Sequence, residues 1–106
     1  MTQDEDILMQ ILDEHGQVAL DDLLAVSGLE REVLIELVEY GVFEPLGEGE
    51  LNWRFPSRSL TLVRRAARLR AGFELDTPAL ALAMELLERM DELQRRVHEL
   101  ECQLLR

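Results

Sequence analysis

The chain has no lysine, one cysteine, three prolines and five aromatic residues among its 106 positions. A single cysteine, Cys102, cannot close an internal disulfide, which excludes a disulfide scaffold, and a metal-responsive sensor would want several clustered cysteines. The sparse proline and glycine exclude collagen-like and low-complexity classes. No apolar run approaches the roughly 20 residues of a membrane-spanning helix; the longest stretch of low polarity is Pro78 to Met84. Met1 to Asp6 holds three acids and no base, the reverse of a targeting peptide, so no membrane association and a cytoplasmic location are expected. Enzyme chemistry finds no support. His15 and His98 stand alone, without ligand spacing, and Gly47-Glu48-Gly49-Glu50 would present carboxylates to any phosphate. No metal or other cofactor is expected.

What is present is a normal globular apolar fraction, 47%, together with a formal net charge of −11. That fraction is too high for an intrinsically disordered chain, and a packed core is expected. The charge is unevenly spread. Residues 1–50 hold 14 acids against Arg31 alone; residues 51–106 hold 8 acids and 10 arginines. Arg54, Arg58, Arg64, Arg65, Arg68 and Arg70 follow one another with no acid between them. A field of one sign steers complementary surfaces, so the first half should attract a basic surface and repel DNA; acids that merely solubilise the chain would look the same.

Ile7, Leu8, Ile11 and Leu12 recur at helical spacing behind three acids, which predicts a helix over 4–15 stopped by Gly16. A second helix is expected from an Asp21 cap to Ser27-Gly28, and a third from Leu29 to Tyr40-Gly41. Two short helices around a glycine-containing turn have the form of a helix-turn-helix, although spacing alone suits an ordinary helical hairpin better. Val42 to Pro45, the glycine loop and Leu51 to Phe55 read as a small hairpin or wing ended by Pro56. Ser57 should cap a fourth helix closing at Gly72, and Thr77-Pro78 should open a last one running to the end.

That last helix carries Ala83, Leu86, Met90, Leu93, Val97, Leu100 and Leu104 at spacings of 3, 4, 3, 4, 3, 4, a heptad seam. A helix of about 30 residues spans about 45 Å, whereas a compact domain of this size has a radius of gyration near 13 Å. The first turns, near Leu80 and Ala83, can pack on the domain. The distal half is expected to pair in a coiled-coil homodimer, parallel or antiparallel, through Leu86, Met90, Leu93, Val97, Leu100 and Leu104.

The order helix-turn-helix, wing, arginine-rich helix, long terminal helix resembles the MerR-like winged-helix proteins. Val18-Ala19-Leu20-Asp21, Ser27-Gly28-Leu29, Tyr40 to Pro45, Trp53-Arg54-Phe55, Arg65 to Arg70 and Leu75 to Pro78 are similar to the chaperone modulators of the CbpM type. The resemblance implies a mainly α fold, a MerR-like winged helix-turn-helix with a small β wing and a long C-terminal coiled-coil helix. It also implies a non-enzymatic role: binding the J-domain of a DnaJ-like, CbpA-type co-chaperone and inhibiting its work with a DnaK-type chaperone. The organisation expected is an acidic helical extension over 1–16, a winged-helix domain over 17–75 and a dimerisation helix over 76–106.

MerR-type regulators read DNA with the second helix of the motif. The matching positions here are Ile35, Glu36 and Glu39, with Arg54 in the wing, and only the arginine is cationic. Glutamates at 30, 32, 36 and 39 oppose contact with a polyanion, so direct DNA binding is not expected. The arginine block could pair internally with the acidic half, and it keeps a MerR-like transcription regulator as the alternative, with a dimerisation adaptor behind it. Leu34, Leu37 and Val38 form the expected core stripe of the third helix, leaving Val33 and Ile35 outward among the carboxylates or one of them against the N-terminal helix. The partner-binding face expected is therefore Asp21, Asp22, Glu32, Val33, Ile35, Glu36 and Glu39, apolar residues rimmed by acids, suited to the basic J-domain surface the resemblance implies.

Overall fold

A computed structural model describes residues 12–105 of the chain. Its order is β1 (Gln17–Ala19), α1 (Leu20–Ser27), α2 (Arg31–Glu39), β2 (Arg54–Pro56), α3 (Arg58–Phe73) and α4 (Thr77–Leu104). The fold is the mainly α, winged helix-turn-helix arrangement with a long last helix.

The N-terminal helix expected over 4–15 is not what the described residues show, and positions 4–11 of it lie outside them. Leu12 bridges Val18, and residues 13–16 turn tightly. Asp13 Oδ1 accepts from the N–H groups of His15 and Gln17, each at 2.9 Å, and Gly16 takes φ 73°. An aspartate that satisfies backbone donors two and four residues ahead favours a turn over a helix.

β1 then pairs antiparallel with β2 in the register Gln17↔Pro56, Val18↔Phe55, Ala19↔Arg54. The hairpin or wing expected within 42–55 is present, but its returning strand makes its ladder with β1 and not with residues 42–45. The wing closes through one reciprocal pair, Leu46 and Arg54, with N···O distances of 2.7 and 2.9 Å, and its returning strand crosses to β1. Pro45 has no N–H to extend a ladder backwards, while pairing Val18 with Phe55 puts two fully buried side chains at the sheet's centre.

Because β1 runs straight into α1, the N-cap is Ala19 and not Asp21. Asp21 and Asp22 instead occupy the first turn, at the positive end of the helix dipole. Gly28, φ 74°, ends α1 by donating its N–H to the Leu24 carbonyl at 2.8 Å, a left-handed cap that glycine adopts at least cost. Gly28, Leu29 and Glu30 make the turn, and Ser27 Oγ accepts from the Leu29 N–H at 3.1 Å. α3 begins after Ser57, which makes no side-chain cap, and passes through Gly72 to Phe73. For α4 the capping side chain is Asp76, accepting from the Ala79 N–H at 2.9 Å, with Pro78 in the first turn.

α1 packs on α3, α2 on α4, and α3 on α4. Between them lies one cluster that includes Leu20, Leu23, Leu34, Leu37, Val63, Ala66, Leu80 and Met84. Phe55 anchors its sheet side, edge-on to Phe43 at 6.3 Å and to Trp53 at 6.1 Å, contacts worth about 0.5–1.5 kcal/mol each beyond their buried area. α4 contributes Leu80, Ala81 and Met84 to this core and nothing fully buried afterwards. The described residues measure 50 × 33 × 28 Å, with a radius of gyration of 15.7 Å, larger than the roughly 13 Å of a compact chain of 100 residues. The excess is the projecting half of α4.

Candidate partner-binding surface

α2 presents two different faces. Val33, Leu34 and Leu37 are buried and Val38 is half-buried, a stripe that packs inward. Glu32, Glu36 and Glu39 are exposed on the opposite side with half-buried Ile35 among them, as the spacings i, i+3, i+4 and i+7 require. Val33 was expected outward, and the structure corrects this. It is only 6% exposed, because the apolar stripe of a core-facing helix is wider than three residues and residue 33 lies at its edge.

Asp21 is also changed by its setting. Arg31, the only base in the first half, reaches across the turn and pairs with it, joining the N-terminal ends of α1 and α2. Asp22, the next residue on α1, is half-buried. Glu32, Glu36 and Glu39 take part in no ion pair among the described residues. Three neighbouring carboxylates on one helix face thus remain open to a cation, with Ile35 as the apolar residue beside them.

The arginine block is partly tied down within the molecule. Arg54 Nε lies 3.9 Å from Asp13 Oδ2, and its Nη1 donates to the Trp53 carbonyl at 2.9 Å. Arg70 lies 3.6 Å from Glu30, and Arg65 lies 3.1 Å from Asp91 on α4. Such exposed pairs stabilise by about 0–1 kcal/mol, so they matter more for where the charges point than for the fold. Asp13 gathers several of these effects. The Gln17 N–H foremost holds its carboxyl below the usual value of 3.8, against some desolvation, with help from the His15 N–H and the nearby His15 and Arg54 charges.

The heptad positions of α4 lie open along the projecting half. Leu86, Met90, Leu93, Val97 and Leu100 are each 51–59% exposed and Leu104 is 84% exposed. Leu82 and Leu105 are exposed beside them, two residues that the strict heptad spacing passes over. At the root of this stripe a shallow groove of about 450 Å³ opens between Tyr40, Val42, Leu62, Leu82 and Met84, with Glu85 and Glu88 on its rim.

Leu51, expected at the start of the wing's returning strand, lies instead on a single 3-10 turn (Glu50–Asn52) at the wing tip, fully open to solvent. Its only sequence signal is an apolar residue isolated in a polar glycine loop. Among the described residues no three His, Cys, Asp or Glu side chains gather to hold a metal ion, and no helix is long and apolar enough to cross a membrane. Cys102 is exposed, with Sγ 3.7 Å from His98 one turn back.

A helix-turn-helix followed by a wing and a long terminal helix defines a MerR-type architecture, and the family described as MerR HTH family regulatory protein matches residues 18–102. Among curated relatives, the chaperone modulatory protein CbpM of Coxiella burnetii is 31% identical over 91 residues, 86% of each chain. Its namesake in Salmonella arizonae is 39% identical over 80 residues, 76% of this chain and 79% of the relative. That of Salmonella paratyphi B is 40% identical over 67 residues, 63% and 66% of the two chains. The chain belongs to the MerR-like helix-turn-helix family, within its CbpM group of chaperone modulatory proteins.

Proposed function

We propose that this protein is a non-enzymatic, cytoplasmic chaperone modulator that binds the J-domain of a DnaJ-like, CbpA-type co-chaperone and inhibits its work with a DnaK-type chaperone. The observation that carries the reading is the exposed row Glu32, Glu36 and Glu39 on α2, without an ion pair among the described residues. In a winged-helix DNA reader this helix meets phosphates and needs cations to displace counterions; here it would repel them. The wing arginine, Arg54, lies near Asp13 and donates to the Trp53 carbonyl, which supports the reading by partly engaging the one cation that matches such a reader. The acidic face covers a basic surface on the J-domain and so blocks its access to the DnaK-type partner. Glu32, Glu36, Glu39 and Asp22 steer the encounter, Ile35 supplies short-range contact, and Asp21 contributes where a partner cation competes with Arg31.

The protein acts as a homodimer joined through Leu86, Met90, Leu93, Val97, Leu100 and Leu104, because among the described residues this stripe stands more than half exposed. The test of the binding role is a calorimetric titration into the isolated J-domain at two salt concentrations. Affinity should fall with salt, since exposed charges are screened beyond about 8 Å at physiological ionic strength. Glu36→Arg with Glu39→Arg should abolish binding while leaving the thermal melt unchanged; retained binding by that variant rules out this face.

A further inference from the structure

The wing offers a second contact that α2 alone does not. Leu51 is 95% exposed, the most exposed of the large apolar side chains in the described residues. One exposed leucine is ordinary on any surface; what distinguishes this one is how firmly it is displayed. Leu46 and Arg54 close the wing base with two backbone hydrogen bonds. At the tip the Asn52 N–H donates to the Gly49 carbonyl at 3.0 Å, and Asn52 Nδ2 donates to the Glu48 carbonyl at 3.2 Å. Gly47 sits at φ 96°, and a Cβ there would lie 2.6 Å from the Asn52 carbonyl oxygen. These contacts favour a turn that holds Leu51 in water rather than against its own core.

The tip also borders the N-terminal ends of α1 and α2. Asp21, Arg31, Glu50, Leu51, Trp53 and Arg54 line one cleft of about 340 Å³ between the wing and the N-terminal ends of α1 and α2. Arg31 is the first residue of α2 and Glu32 the second. The row Glu39, Glu36 and Glu32 thus runs along α2 towards the end of the helix that borders this cleft, which Glu50 lines from the wing side.

We infer that the wing is the second arm of the docking surface, with Leu51 as its apolar anchor, and that the occupant is a cationic helix of the J-domain bearing an apolar side chain at the end that meets the wing. This rests on the J-domain reading above. Charge complementarity argues for the occupant: of the two arginines in the cleft, Arg31 is paired with Asp21 and Arg54 lies 3.9 Å from Asp13, while Glu48 and Glu50 at the wing tip add to the three exposed carboxylates of α2. A pre-ordered loop contributes affinity because little ordering is left to be done on binding.

The test titrates the wild type, Leu51→Ser, Leu51→Met and Glu36→Arg/Glu39→Arg into the isolated J-domain at two salt concentrations. Leu51→Ser should weaken binding by about tenfold while leaving the salt dependence and the melting temperature as in the wild type. Leu51→Met should bind within about twofold of the wild type, since methionine keeps the apolar contact. The charge-reversed variant should instead lose the salt-dependent part. If the wild type binds and Leu51→Ser binds equally well, the wing is overturned and the α2 face stands. If the wild type does not bind at all, both readings fall.

Discussion

Leu93 lies in the middle of the open stripe on α4 and is 59% exposed. Taking a leucine side chain fully out of water stabilises by about 1.5–3 kcal/mol, so covering the exposed three-fifths of Leu93 is worth about 1–2 kcal/mol per chain, most of it lost on truncation to alanine. A two-fold interface loses the contact twice. The loss of about 2–4 kcal/mol corresponds to a dimer dissociation constant raised about 30- to 700-fold. Alanine is the best helix former, so Leu93→Ala should leave the helix of each protomer intact. Sedimentation equilibrium over a range of concentrations reads the dissociation constant, and far-ultraviolet circular dichroism checks helix content in the same samples. Leu80→Ala is the contrast: Leu80 is fully buried within one chain, so that variant should lower the stability of the protomer itself, by about 2–5 kcal/mol. A wild-type chain that stays monomeric at every concentration, or a Leu93→Ala dimer as tight as the wild type, would refute the pairing.

Other outcomes follow from single contacts. Phe55→Ala removes a fully buried ring from between Phe43 and Trp53 and should cost about 3–5 kcal/mol in urea unfolding; a loss below about 1 kcal/mol would contradict the central role given to the β1–β2 pair. Asp13 has a folded-state carboxyl value depressed below 3.8, so its charged form adds stability above that value, and the contribution is lost as pH falls through the lower folded value. The difference in melting temperature between the wild type and Asp13→Ala should therefore be present at neutral pH and narrow in strong acid. A difference unchanged by acid would show that the carboxylate charge plays no part in the turn. Affinity for the J-domain should fall with added salt and vanish in Glu36→Arg/Glu39→Arg, while Leu51→Ser should weaken it without altering its salt dependence.

The helices could be read in advance because each depends on neighbours within four residues. Leu20 and Leu23, Leu34 and Leu37, and Leu60 and Val63 recur at helical spacing, and glycine at 28 ends α1 as expected. The open stripe of α4 was legible for the same reason: a strict heptad longer than the domain can cover shows in the spacing alone. The charge asymmetry needs only counting, and with it came the expectation that α2 would be acidic. Boundaries were less legible. Whether Ala19 or Asp21 caps α1, and whether Thr77 or Asp76 caps α4, depends on the path by which the chain enters the helix.

The remaining features come from residues far apart in the chain. The wing's returning strand keeps one bridge to Leu46 and makes its ladder with Gln17–Ala19, some 37 positions back, because that pairing buries Val18 against Phe55. Val33 turns inward because α2 packs on α4, and helix periodicity does not say how wide the buried stripe will be. Asp21 is held by Arg31, Arg54 is drawn to Asp13, and Leu51 is left in water by a turn whose hydrogen bonds fix its shape. Local periodicity and charge are written into neighbouring residues. Which surface stays open to a partner depends on packing between distant ones, and that exists only once the chain has folded.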